Sequence, residues 1–152
     1  MKHLLILISI LLLSSPVIGD NHKGETLYGW GNTLPYVWKG VGDKETQPKY
    51  QGQVKDGKPN GLGIFIDRFG TKRIGNWKDG EMNGQGTETL PDGQKYKGKW
   101  KNGEYHGQGT LTLLNGDKYE GKFKDGENWN GTGYNKDGEI VIKFVNGQMI
   151  EQ

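Results

Sequence analysis

Apolar and polar positions alternate along most of this chain beyond its apolar N-terminal segment. In residues 96–100, Tyr96, Gly98 and Trp100 occupy every second position and lysines fill the positions between them. Residues 119–123 repeat the pattern, and in 107–113 glycine and leucine alternate with glutamine and threonine. Because successive side chains of a β-strand point to opposite faces, this period of two predicts strands with one apolar and one solvated face.

Glycines recur along these predicted strands at a step of 23 residues. Bulky apolar residues follow the same step at Val54, Trp77, Trp100 and Phe123, and the step lengthens by one residue after Gly126. Self-similarity at a fixed step is typical of repeat proteins. The predicted structural glycines of the repeats are Gly52, Gly57, Gly61, Gly63, Gly75, Gly80, Gly84, Gly86, Gly98, Gly103, Gly107, Gly109, Gly121, Gly126, Gly131 and Gly133.

Two turn signals punctuate each repeat. Asn102-Gly103 is an example of the first and Asn115-Gly116 of the second, and pairs of this kind favour the positive φ angles of tight hairpin turns. Successive turn glycines from Gly57 to Gly126 are 13 or 10 residues apart, which is too short for alternating strands and helices. The sequence therefore predicts an all-β fold, an elongated single-layer antiparallel meander of repeated β-hairpins.

A glycine inside a strand weakens it unless something packs over the gap. We expect the indole of Trp100 to lie over Gly107 or Gly109 across its own hairpin. On this hypothesis Gly107→Val would destabilise the fold by about 1–3 kcal/mol through overpacking.

The unit Tyr96-x-Gly98-x-Trp100-x-x-Gly103-x-x-His106-Gly107-x-Gly109, closed by Asn115-Gly116, resembles the MORN repeat (membrane occupation and recognition nexus). Copies start at Tyr50, Arg73, Tyr96 and Tyr119, and a frayed copy starts near Ile140. Arg73 and Val54 depart from the aromatic pattern, and an insertion lies around residues 127–130. The resemblance implies a twisted meander of hairpins used for lipid, membrane-surface or protein contact.

The segments on either side of the repeats do not follow the repeat pattern. Residues 1–19 combine an early lysine with a short apolar run and a small residue at the end, which predicts a secretory signal peptide cleaved between Gly19 and Asp20. The apolar run is half the roughly 20 residues that span a bilayer. We therefore expect a secreted or periplasmic protein, with an uncleaved membrane anchor as the less favoured alternative.

The mature chain divides into three predicted segments. Residues 20–49 are expected to form a capping hairpin and a polar linker, residues 50–147 the repeats, and residues 148–152 a trailing tail. The β-prone run 140–145 is expected to be the last strand. Its bare apolar edge would invite pairing with a second copy, so a homodimer is a further expectation.

Composition excludes several classes of chemistry. The chain has no cysteine and, beyond residue 19, no serine, so serine and cysteine nucleophiles are absent from the mature chain. Beyond the signal, the histidines are His22 and His106, which do not make a recognisable metal site, and we expect His106 to be a turn residue. We predict no catalytic residues, no metal and no cofactor. Asn130 begins a formal glycosylation sequon, which matters only in a host that has the machinery.

Binding is the expected activity. A formal net charge of +2 argues against nucleic acid as a partner. We predict an exported, non-enzymatic scaffold that binds a partner protein or an anionic membrane, aided by lysines such as Lys97 and Lys99. The alternatives are a carbohydrate or cell-wall binding module and, more remotely, an accessory to a separate enzyme. The candidate contact aromatics are Trp30, Trp38, Tyr50, Trp77, Tyr96, Trp100, Tyr105, Tyr119, Phe123 and Trp129.

Overall fold

The computed structural model describes residues 24–31 and 34–150. They form one antiparallel sheet in which every strand follows its neighbour in sequence, apart from the start, where β1 lies between β2 and β3. The strands are β1 Glu25–Trp30, β2 Val37–Lys39, β3 Lys49–Lys55, β4 Lys58–Ile66, β5 Lys72–Lys78, β6 Glu81–Thr89, β7 Lys95–Lys101, β8 Glu104–Thr112, β9 Lys118–Lys124, β10 Glu127–Tyr134, β11 Ile140–Val145 and β12 Gln148–Ile150. The predicted all-β meander is confirmed. The predicted signal peptide, with Gly19 and Asp20, lies outside the described residues.

The chain reverses direction in a different way at each of the two long edges of the sheet. At one edge, which we call the turn edge, Asp79-Gly80, Asn102-Gly103 and Asp125-Gly126 connect strands directly, and both residues of each pair have positive φ. The asparagine and aspartate φ angles there are 50–52°, as mirror-image hairpin turns require. At the opposite edge, the loop edge, residues 67–71, 90–94, 113–117 and 135–139 form the connections.

A band of glycines crosses the sheet at right angles to the strands. Each glycine of the band is paired with the next across neighbouring strands, in the order Gly52, Gly63, Gly75, Gly86, Gly98, Gly109, Gly121 and Gly131. A Cβ atom added at Gly98 would lie 2.5 Å from the Cα of Gly109. The band therefore brings backbones together too closely for any side chain, which explains why the repeat needs glycine there.

Large side chains cover the glycine band, but not in the arrangement that the sequence predicted. The ring of Tyr96 lies over Gly98 and Gly109, because added Cβ atoms there would lie 2.5–2.6 Å from its hydroxyl oxygen. The indole of Trp100 instead reaches Gly86 in the preceding hairpin, with Nε1 3.1 Å from the added Cβ. The prediction that Trp100 covers Gly107 or Gly109 is therefore wrong. Gly107 has a φ of +64° and lies beside the side chain of Lys99.

The two ends of the sheet differ from the repeats. β1 pairs with both β2 and β3, and residues 40–48 connect β2 to β3. At the other end, Gln148–Ile150 pair with β11 as strand β12. The predicted trailing tail is corrected for these three residues, because Asn146-Gly147 makes a further tight turn that folds the chain back onto β11.

Candidate binding surfaces

The predicted contact row is the core of the protein. The six aromatic residues on the repeat lattice expose between 0% and 5% of their surface. Their rings pack edge to face within and across strands; the centroids of Tyr96 in β7 and Phe123 in β9, for example, are 5.0 Å apart. We call this side of the sheet the aromatic face. The prediction that these residues form an exposed contact row is wrong for Tyr50, Trp77, Tyr96, Trp100, Tyr119 and Phe123.

The lattice tyrosines hold the strand irregularities in place. Tyr96 donates its hydroxyl proton to the carbonyl oxygen of Lys99 at 2.8 Å, and Tyr50 and Tyr119 make the same bond three residues ahead. These carbonyls lie where the pairing register of the strand shifts. Burial raises the pKa of Tyr96 to about 12 and also raises the pKa of Tyr50 and Tyr119. The hydroxyls are therefore structural donors at neutral pH.

The second repeat replaces part of this core with a buried ion pair. Arg73 stands where the other repeats have tyrosine, and its Nε contacts the carboxylate of Glu88, its cross-strand partner. Glu88 is 6% exposed and also accepts the hydroxyl proton of Tyr105. Met82 takes over the covering role of the missing tyrosine, since its Cε lies 2.1 Å from a Cβ added at Gly86. Sequence reasoning missed Glu88 and Met82.

The four aromatics off the main row are less free than predicted. Tyr105 stacks on Tyr96 with centroids 3.7 Å apart, and burial, with the neighbouring Glu88 carboxylate, raises its pKa. Trp38 packs against Phe65 with centroids 5.9 Å apart. Trp129 is half-buried, with the ammonium of Lys124 4.2 Å from its ring centroid. Among these four, Trp30 is the most open, at 40% exposed. Stacking platforms for sugar rings are correspondingly scarce.

The opposite side of strands β7 to β9 carries a dense group of lysines. We call this surface the lysine face, and its cations are Lys95, Lys97, Lys99, Lys101, Lys118, Lys122 and Lys124. Two glutamates, Glu104 and Glu120, lie on the same side of these strands. Glu120 pairs with Lys118 at 2.8 Å. Aspartates, by contrast, lie outside the strands throughout the described residues.

The position equivalent to His106 links successive repeats. Asn83 donates to the side-chain oxygen of Asn102 at 3.4 Å, and the side-chain oxygen of Asn130 accepts the Asn146 amide at 2.7 Å. The His106 Nδ1 lies 3.7 Å from an oxygen of Asp125 in the same arrangement. His106 lies within β8, so its prediction as a turn residue is wrong. The side chain contacts the next turn instead of forming one.

Metal-ligating side chains are scattered through the described residues, 24–31 and 34–150. In these ranges no group of three or more histidine, cysteine, aspartate or glutamate side chains is arranged to hold a metal ion. The same ranges contain no helix that is long and apolar enough to cross a bilayer.

The comparison with protein families agrees with this geometry. The MORN repeat model matches residues 50–68, 74–95 and 96–118, so three MORN repeats are detected in the chain. The second match begins one residue after Arg73, where the tyrosine of the pattern is missing. MORN repeats are generally modules that bind proteins or membranes. No curated protein matches the chain.

Proposed function

We propose that this protein is an exported, non-enzymatic scaffold that binds an anionic membrane surface through its lysine face. The observation that carries the proposal is the placement of seven lysines on one side of β7 and β9, opposite the aromatic core. Such a cationic surface attracts anionic headgroups by about 1 kcal/mol per lysine near the membrane. Glu104 and Glu120 lower that attraction but do not cancel it.

Three of these lysines lie on the exposed side of the strands, away from the core. Lys97, Lys99 and Lys122 are exposed, while Gly98 and Tyr96 on the other side of β7 are buried. A side chain that makes no core contact is free to bind a partner without a cost to folding. The lysine face therefore supplies charge while the aromatic face supplies stability.

Export is the second part of the proposal, and it is supported by the sequence of residues 1–19. A basic start, a short apolar run and a small residue before Asp20 are typical of a cleaved secretory signal. Mass spectrometry of the protein recovered outside the cytoplasm should give a mature N-terminus at Asp20. An intact N-terminus beginning at Met1 would contradict the cleavage.

Membrane binding is tested by cosedimentation with vesicles of phosphatidylglycerol and phosphatidylcholine. We expect the protein to sediment with these vesicles at low salt, to dissociate progressively as salt rises, and to ignore pure phosphatidylcholine. The variant Lys97→Glu/Lys99→Glu/Lys122→Glu should lose binding. The matched control Lys44→Glu/Lys55→Glu/Lys58→Glu has the same net charge but is changed far from β7–β9, and it should keep most of its binding. Equal loss in both variants would contradict a specific surface.

A further inference from the structure

Three of the exposed apolar side chains of the repeats lie in connections at the loop edge of the sheet. Phe69 is 71% exposed, Leu114 is 69% exposed and Leu113 is 41% exposed, and all three belong to the loops 67–71 and 113–117. The reversals at the turn edge between β3 and β10 present aspartate, asparagine and glycine instead. Two of the four loops at the loop edge therefore present exposed apolar side chains, which the reversals at the turn edge between β3 and β10 do not.

Local hydrogen bonds hold the two loops that carry these exposed apolar side chains. In the loop 67–71, a carboxylate oxygen of Asp67 accepts the backbone N–H groups of Phe69 and Thr71 at 2.8 and 2.9 Å. In the loop 113–117, the Leu113 N–H donates to the carbonyl of Asp117 at 2.8 Å. These bonds pair part of the loop backbone internally, so the apolar side chains project from turns that are held by their own hydrogen bonds.

Cations stand directly behind the tips. Lys72, Lys95 and Lys118 begin the strands that follow the first three loops, and Lys95 and Lys118 belong to the lysine face. Neighbouring loops are separated by two strands, or roughly 10 Å. Ile66, which is 44% exposed, ends the strand that enters the first loop. The corner between the lysine face and the loop edge thus combines the apolar side chains of two loops with a row of ammonium groups, and Asp92 and Asp117 in the loops at this edge reduce its positive charge.

We propose that this corner inserts into an anionic bilayer, with Phe69 and Leu114 reaching the acyl-chain boundary while Lys72, Lys95 and Lys118 contact lipid phosphates. The inference rests on the proposed membrane function and adds the orientation of the sheet on the membrane and the residues that enter it. Apolar tips backed by cations are complementary to a layer of anionic headgroups over hydrocarbon. An electrostatic contact through lysines alone would leave these apolar side chains in water.

The absence of cysteine from the chain allows a direct test. Leu114→Cys, labelled with an environment-sensitive nitrobenzoxadiazole dye, places the reporter at a loop tip, and Asn102→Cys places it at the turn edge as the control. On addition of phosphatidylglycerol–phosphatidylcholine vesicles, we expect the emission at position 114 to shift to the blue and to intensify several-fold. The emission at position 102 should stay as it is in water.

Two further results separate insertion from the proposed function itself. Phe69→Ser/Leu114→Ser should bind the same vesicles roughly tenfold more weakly, because the exposed apolar area is lost, with an unchanged melting temperature. If the labelled proteins bind vesicles without a blue shift at position 114, insertion is overturned and surface binding stands. If they bind no vesicles, both proposals are overturned. If the dye at position 114 shifts to the blue when a protein is added without vesicles, the loop edge is a protein-binding site. That result would also overturn insertion.

Discussion

The two faces of strands β7 to β9 use the same backbone for different purposes. On the aromatic face, Tyr96 and Trp100 are 1% and 2% exposed although the sheet has a single layer. On the lysine face, Lys97 and Lys99 lie between them in sequence and are exposed. The difference arises because the rings of one strand lie over glycines of its neighbours, as Trp100 lies over Gly86 of the preceding hairpin and Tyr96 over Gly109 of its own. Recurring aromatic residues in such a repeat are therefore better evidence of a core than of a ligand-binding site.

The largest effect on the aromatic face should come from breaking the buried ion pair. Arg73→Leu leaves the Glu88 carboxylate buried without its cation, and we expect the free energy of unfolding to fall by about 3–5 kcal/mol. Adding Glu88→Leu should recover more than half of that loss, because the uncompensated charge is removed. Urea denaturation of the two single variants and the double variant measures the coupling. Additive losses would show that Arg73 and Glu88 do not depend on each other.

A methyl group in the glycine band should be the next most damaging change. Gly98→Ala would bring a Cβ atom 2.5 Å from the Cα of Gly109 and 2.6 Å from the Tyr96 hydroxyl oxygen. We expect a loss of stability of about 1–3 kcal/mol or more. Gly40→Ala is the matched control, because nothing lies within 4 Å of its added Cβ. Equal melting temperatures for both variants would be incompatible with a close-packed band.

High pH should unfold the aromatic face. Burial raises the pKa of Tyr96 from its ordinary value of 10.0 to about 12. Below pH 10 this tyrosine is protonated whether the chain is folded or unfolded; between about pH 10 and 12 ionisation favours the unfolded chain, so stability falls as pH rises. Thermal melts across this range should show a steeper decline for the natural protein than for Tyr96→Phe. Parallel declines would mean that Tyr96 ionises freely in the fold.

The smallest effect on stability is expected from the lysine face. Lys97→Ala/Lys99→Ala should change the free energy of unfolding by no more than about 0.5 kcal/mol, since both side chains are exposed. Denaturation in urea, run beside Gly98→Ala from the same strand, makes the comparison direct. A loss in the free energy of unfolding as large as that of Gly98→Ala would show that both faces stabilise the fold.

The 23-residue step was sufficient to predict the strands, the turns and the meander. The step could not predict which glycine each ring covers. Strand β7 has a glycine of the band on each side, Gly86 in β6 and Gly109 in β8, and the 23-residue step is compatible with either one. Tyr96 covers one of these glycines and Trp100 the other. Alternation shows that a strand has an apolar face but does not show what covers it.

The second repeat did carry a signal that would have revealed its ion pair. Arg73 and Glu88 replace apolar residues at two positions that pair across the hairpin in the neighbouring repeats, as Tyr96 pairs with Leu111. Two opposite charges entering paired positions together predict a contact. The loop edge was missed for another reason: Phe69 and Leu114 lie in connections, outside the alternating pattern that guided the choice of candidate residues.

Lysine acetylation footprinting on vesicles tests most directly whether binding is confined to the lysine face of β7 and β9. The protein is acetylated with and without phosphatidylglycerol–phosphatidylcholine vesicles, and mass spectrometry compares each lysine. We expect the vesicles to protect Lys97, Lys99 and Lys122 from acetylation and to leave Lys55 and Lys58 unchanged. Uniform labelling with and without vesicles, or protection confined to Lys55 and Lys58, would contradict this expectation.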